Sequence, residues 1–299
     1  MSYHNPVLLQ ETVAGLNIKP DGVYVDVTFG GGGHSREILK HLGPEGKLYA
    51  FDQDPDAQAN VVDDDRFVLI PENFRYVKRF LRFQGVREVD GVLGDFGVSS
   101  HQFDVAERGF STRYDADLDM RMDTTAKKSA YTVINKYDEG ELRQMFYEYG
   151  ELRMAPKLAR EIVAVRKETP IKTGEQLKAI AEPFMSQSKR NKLLAMIYQA
   201  IRIEVNEEID VLKDFLMQMQ EIVKVGGRIS LISYHSLEDR LVKRYIRSGM
   251  FKGEPEKDMF GRFEVPFKKV GGLIVPGQEE IKLNSRARSA KLRIAERLV

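Results

Sequence analysis

The chain has 299 residues, 42% of them apolar and 30% charged, and contains no cysteine. That length and apolar share suffice to bury a core in one or two domains, while the missing thiols exclude disulfides, thiolate catalysis and every Cys-ligated metal site. Lys plus Arg (46) nearly balance Asp plus Glu (45), giving a net charge of +1, so a nucleic-acid partner has to be read from local patches and not from bulk charge.

No apolar run approaches the ~18 residues that span a bilayer, and the opening MSYHNPVLLQETVAG lacks a basic stretch followed by an apolar one. A soluble, unexported, cytoplasmic protein without a membrane partner is expected. Four β-rich runs come first: VYVDVTF from Val23, KLYAFD from Lys47, RFVLI from Arg66 and VDGVLGDF from Val89. Helical stretches such as Ser35 to Leu42 and Phe74 to Phe83 separate them, the alternation that builds a parallel sheet from βαβ units.

The alternation then stops. About 130 residues between Asp95 and RISLIS at Arg228 read as helix, with Leu142, Met145, Phe146 and Tyr149, then Leu177, Ile180, Ala181 and Phe184, at helical spacing. A single crossover helix takes roughly a dozen residues, so a helical domain over 105–212 is expected inside an α/β domain formed by 1–104 and 213–299. An amphipathic helix follows from Ser236, with Ser236 and Asp239 as a capping pair. A Gly/Pro/Lys-rich loop through about Glu280 and a last alternating run, SAKLRIAERL from Ser289, complete the chain.

The first strand ends in DVTFGGGGHS, directly before a helix. Glycines let the backbone turn tightly against a ligand, and the helix start beyond supplies free N–H groups. As G-x-G-x-x-G the match fails at Ser35; as acid-x-x-x-G-x-G it fits Asp26, Gly30 and Gly32, the pattern with which many methyltransferases hold S-adenosylmethionine (SAM). Asp52, at the end of the second strand, is placed to accept hydrogen bonds from both hydroxyls of a ribose, while Asp54, before Pro55, starts a helix.

Asp95 ends the fourth strand in GDFGVSS, where chemistry gathers in parallel sheets. Methylating an exocyclic base amine requires an acceptor for the amine hydrogens and a loop that admits a planar base, and Asp95 with the following Phe96 to Ser99 can supply both. His235, in SYHSLEDR on the same edge, is a second candidate for substrate contact or proton relay. Five histidines without a ligand-spaced pair give no metal site. Basic residues cluster at Arg286, Arg288, Lys291, Arg293 and Arg297, and at Arg160, Arg166, Lys167, Lys189, Arg190 and Lys192. Such clusters can follow a phosphate backbone, and Arg286, Arg288 and Arg293 are taken as RNA contacts.

HNPVLLQETVAGL, DVTFGGGGHS, AFDQDP, DFGVSS with Gln102 and Asp104, ERGFSTRYDADLDMRMD, QAIRIEVNEE, SYHSLEDRLVK and RARSAKLRIAER run nearly end to end. In these blocks the chain resembles the bacterial 16S ribosomal RNA (cytosine-N4)-methyltransferases of the MraW/RsmH family. The resemblance implies a class I SAM-methyltransferase fold, a Rossmann-like, mostly parallel sheet with an inserted helical domain. It implies methylation of a cytidine amine in the decoding centre of 16S RNA within the small ribosomal subunit, by in-line displacement on an unstacked base. Cofactor contacts carried over are Gly32, Gly33, His34, Asp52, Phe74, Asp95 and Gln102. The chain departs from the family pattern at Gly94, Phe96 and His101, and Lys192 to Met196 replaces a His-Pro-Ala-x-Arg stretch. A homodimer is compatible with the sequence. Two other readings stay open: an NAD(P)-dependent dehydrogenase using the same loop and Asp52, and a non-catalytic RNA-binding assembly factor.

Overall fold

β-Branched and aromatic residues in short runs, bounded by glycine and proline, set the strands. The computed structural model describes residues 6–253, 255, 259–260 and 264–299. Helix α1 (Leu9–Gly15) precedes β1 (Val23–Asp26), α2 (Gly33–His41), β2 (Lys47–Phe51), β3 (Phe67–Ile70), α3 (Val77–Phe83) and β4 (Val89–Asp95). Helices α4 (Ser100–Asp104), α5 (Ala130–Lys136), α6 (Glu139–Glu148), α7 (Ala155–Glu168), α8 (Gly174–Ala181) and α9 (Arg190–Asn206) follow without a strand. The chain then returns through α10 (Glu208–Ile222), β5 (Val223–Ser233), α11 (Ser236–Ser248), β6 (Phe267–Ile274), α12 (Gln278–Leu283) and β7 (Lys291–Arg297).

Among the described residues, seven strands form one sheet in the order β3-β2-β1-β4-β5-β7-β6. The first five are parallel, and β7 runs antiparallel to both β5 and β6. Strand order reverses between β1 and β4, the switch point at which a crevice opens beyond the carboxyl ends. Six of the seven residues of β4 are buried, as expected for a strand covered on both faces. Phe51, Val92, Leu231 and Tyr245 belong to a core on one side of this sheet, and Leu48, Ile38 and Leu93 to another.

Two compact units are present. One ends at Gly97 and resumes at Ile209; the other is Val98–Glu208. The insertion therefore starts earlier than 105 and ends earlier than 212. Val98 and Phe103 already pack on the helical core, whereas Leu212, Phe215 and Leu216 of α10 belong to the core of the sheet. In the helical unit, Leu142, Met145 and Phe146 bury one face of α6, and Leu177 and Ala181 one face of α8. Asn206 clamps the segment before α5, its Oδ1 accepting from the Met122 N–H (2.7 Å) and its amide donating to the Met120 carbonyl (2.8 Å).

Two local expectations are corrected. The segment read as loop to Glu280 contains β6, which Gly271 and Gly272 disguise because they leave only Phe267 fully buried along it. The cap of α11 is His235, one residue before Ser236, and its partner is Glu238. Among the described residues no helix is long and apolar enough to cross a membrane.

Candidate functional site

Between β1 and α2 the backbone takes left-handed values at Gly30 (φ 49°) and Gly32 (φ 73°), a conformation that residues with a Cβ avoid. Gly32 caps α2 without a side chain, so the first turn of that helix keeps N–H groups for a ligand, and a Cβ built on Gly31 would meet nothing within 4 Å. Other side chains fasten this open cradle. The Asn60 amide donates to the Gly30 carbonyl (3.0 Å), and Arg36 donates to the carbonyls of Gly31 (2.5 Å) and Asn60 (3.0 Å).

Asp26 has no exposed surface. Its carboxylate accepts from the Ser35 hydroxyl (2.7 Å) at the start of α2 and from the Thr28 N–H (3.1 Å), so it braces the glycine loop. Asp52 lies at the end of β2, partly exposed; Oδ2 accepts from the Gly30 N–H (2.7 Å) and Oδ1 from the Asp54 N–H (2.8 Å). An ionised carboxylate has about four lone-pair sites, which leaves acceptor capacity beside the cradle. Burial pushes its carboxyl up to about 6. Asp54 accepts from the Asp56 N–H and starts the turn Pro55–Asn60, as read from the sequence.

Asp95 ends β4 beside β1, and its N–H donates to Thr28 Oγ1 (2.6 Å). The side chain is 22% exposed, and Oδ2 lies 4.0 Å from His34 Nδ1. The Tyr234 hydroxyl lies beside this carboxylate, and burial raises the carboxyl to about 6. Oδ1 is buried without a hydrogen-bond partner, an arrangement that costs free energy unless a ligand completes it. His34 is 5% exposed, with Nε2 3.2 Å from the Val7 carbonyl, and burial lowers its pKa. Phe74 follows β3 half-buried, its ring edge-on to Phe215 at 5.3 Å and 5.8 Å from Phe96.

The remaining sequence candidates have local partners of their own. His235 Nδ1 accepts from the Glu238 N–H (3.4 Å), and Nε2 faces Glu238 Oε1 at 3.2 Å. Nδ1 thus serves the start of α11, while Nε2 is buried without a hydrogen-bond partner and the residue lines a cavity with Tyr234 and Arg288. Gln102 is in the helical unit, 4% exposed, and forms a reciprocal cap with Ser99 at 3.1 Å in each direction. Arg286 and Arg288 lie in the turn Ser285–Ser289, with Arg288 exposed. Arg293, expected on an RNA surface, is instead 15% exposed in β7 with Nε 2.7 Å from Asp239 Oδ1. A cation already neutralised inside the fold is poorly disposed to meet phosphate. In the helical unit Arg166 donates to the carbonyls of Ile134 and Tyr137, and Arg190 pairs with Glu182.

Residues 1–298 match the model of the MraW methylase family. The chain belongs to that family. It is 69% identical over 298 residues to the ribosomal RNA small subunit methyltransferase H of Christiangramia forsetii, covering 100% of this chain and 99% of that protein. The proteins of the same name from Flavobacterium johnsoniae (66%, covering 100% and 99%) and Cytophaga hutchinsonii (57%, covering 99% and 99%) are similar over their whole length. The chain is a methyltransferase, and SAM is its methyl donor. The residues of this methylase fit that group: an open glycine cradle, a carboxylate with spare acceptors at Asp52, and an unpartnered carboxylate oxygen at Asp95.

Sequence reasoning missed Thr28, Arg36, Asn60 and Tyr234. Thr28 and Tyr234 sit inside DVTFGGGGHS and SYHSLEDR, so the motifs carried the signal. Asn60 lies 30 residues from the carbonyl it holds, and no local pattern announces it.

Proposed function

We propose that this methylase transfers the methyl group of SAM to the exocyclic N4 amine of a cytidine in the decoding centre of 16S ribosomal RNA, acting on the small ribosomal subunit in the cytoplasm. The names of its relatives support the RNA. The observation that carries the amine chemistry is Asp95 Oδ1, a buried acceptor without a partner at the carboxyl end of β4.

When bound, SAM supplies a methyl carbon made electrophilic by a positively charged sulfur. The glycine loop with Gly32, Gly33 and His34 would hold the donor's polar end, Asp52 would accept from ribose hydroxyls, and Phe74 would offer an apolar edge for the adenine. The lone pair of a cytosine amine is delocalised into the ring; Asp95 Oδ1, accepting from the amine N–H, favours the geometry in which that lone pair is free to react. As nitrogen bonds the methyl carbon, the carbon–sulfur bond would break and its electron pair stay on sulfur, which leaves as the neutral thioether of S-adenosylhomocysteine, while Asp95 takes the proton that nitrogen loses. Tyr234 lies beside the carboxylate and lowers its proton affinity.

Mass spectrometry of nucleosides from small-subunit RNA, from cells with and without this protein, tests the reading. The expected result is an N4-methylated cytidine that disappears with the gene. An unchanged set of methylated cytidines would remove the proposed substrate.

A further inference from the structure

Helix α11 carries Arg240, Lys243, Arg244 and Arg247 at relative positions i, i+3, i+4 and i+7. That spacing puts all four on one side of the helix. Val242, Tyr245 and Ile246, on the opposite side, are buried in the core beside the sheet. Arg240, Lys243 and Arg247 are exposed, while Arg244 donates to the Gly253 carbonyl.

The two acids of α11 do not balance this row. Glu238 is 2% exposed, and Asp239 is held by Lys291 and Arg293. A solvated helix face ordinarily mixes both signs, since like charges at these spacings repel. Arg240 and Arg247 already take part in interactions of their own, for which phosphate contacts would have to compete.

The row continues past the start of the helix. Ser236, the first residue of α11, shares this side and lines a cavity of about 300 Å³ together with Tyr234, Val275, Arg288 and Lys291. Tyr234 in turn reaches Asp95. Cations thus run from the neighbourhood of the reacting carboxylate out along α11, a length of about 10 Å between Arg240 and Arg247.

We propose that the outer face of α11 is a track for a single RNA strand, entered at the cavity beside Arg288 and followed by Arg240, Lys243 and Arg247 through phosphate contacts. This rests on the ribosomal RNA reading above. A row of cations on long flexible stems, with no apolar anchor among them, suits the repeating charge of a phosphodiester chain better than a folded protein face.

The test is the triple variant Arg240→Gln/Lys243→Gln/Arg247→Gln, titrated with a fluorescently labelled single-stranded RNA oligonucleotide between about 50 and 200 mM salt. Each phosphate contact to a single strand contributes ~0.7 to the slope of log affinity against log salt, so three lost contacts should reduce the slope by about 2 and weaken binding by about tenfold or more. Calorimetric SAM affinity should not change, which shows that the variant is folded. Arg240→Lys/Arg247→Lys, which keeps the charges, should keep the slope. A wild-type slope in the triple variant overturns the track while leaving the RNA reading intact. Wild-type protein without any salt-dependent RNA binding overturns both. Displacement of the RNA by polyglutamate as effectively as by unlabelled RNA would mean a general anion surface and also overturn the track.

Discussion

A Cβ on Gly94 would stand 2.9 Å from both Cε1 and Cζ of Phe96, so β4 leaves a side chain out at one position to seat a ring two residues on. Phe96 is 4% exposed, and its ring lies 5.8 Å from those of Phe74 and Phe215. The two departures at 94 and 96 are therefore one packing unit. Gly94→Ala should destabilise by about 1–3 kcal/mol, the usual cost of overpacking. With Phe96→Leu added, the clash is relieved, and the double variant should be more stable than the sum of the singles by about 1 kcal/mol or more. Urea denaturation measures this directly; additive effects would show that the ring is not what fills the space.

Asp95→Asn keeps the shape of the side chain and one acceptor oxygen but removes the negative charge that offsets positive charge developing on the amine. Methyl transfer in single turnover, with SAM and small-subunit particles saturating, should fall by on the order of 10²-fold. SAM affinity should change much less. A near-wild-type rate with weakened SAM binding would make Asp95 a cofactor ligand only.

For Asp52 two variants separate two jobs. Hydrogen bonds to a charged acceptor are worth roughly 1.5–3 kcal/mol, so Asp52→Ala should weaken SAM by about ten- to over a hundredfold. Part of that loss is indirect, because the same carboxylate holds the N–H groups of Gly30 and Asp54. Asp52→Asn retains acceptor oxygen for the loop and should recover part of the affinity. Equal losses in both variants, measured by calorimetry, would show that charge and not loop shape governs binding.

Burial raises both Asp52 and Asp95 to about 6 from 3.8. A raised folded-state pKa penalises the ionised fold. The ligand-free protein should therefore lose stability as pH rises from about 4 to 6, by up to about 3 kcal/mol per group. SAM binding runs the other way, since ribose hydroxyls and a positive sulfur favour the ionised carboxylates. Its affinity should rise from pH 5 to pH 7, and S-adenosylhomocysteine, which lacks the sulfur charge, should gain less over the same range. Affinity that is flat with pH would mean that neither carboxylate meets the ligand in its charged form.

The tail arginines should divide. Arg293→Gln breaks the pair with Asp239 between β7 and α11, so its main effect should be a lower melting temperature. Arg288→Gln, at an exposed turn, should leave melting unchanged and reduce the salt dependence of RNA binding. The reverse pattern would show that Arg293 leaves its pair to meet phosphate.

How much of this was legible follows from where the information lies. Asp52, Asp54 and Asp95 were readable because each closes or follows a short apolar run, and the carboxyl end of a parallel strand is a defined place. β6 was not, since an edge strand with one buried residue has almost no period to detect. The first boundary of the insertion was missed because Val98 and Phe103 are apolar in either unit, and only their three-dimensional neighbours assign them. His235 was recognisable as important, but its side chain serves the helix start, a role that depends on Glu238 folding back to it.

The last strand in the sequence lies inside the sheet, with β5 on one side and β6 on the other. During synthesis, then, β6 is made before its partner β7, and β4 waits for β5 while about 130 intervening residues are made, on the order of ten seconds at usual elongation rates. The sheet cannot close until residues 291–297 have been made, because they pair with both β5 and β6. A chain truncated just before Lys291 and released should accordingly expose the edges of β5 and β6 to chaperones or to another copy, whereas the helical unit, complete by Glu208, is free to fold.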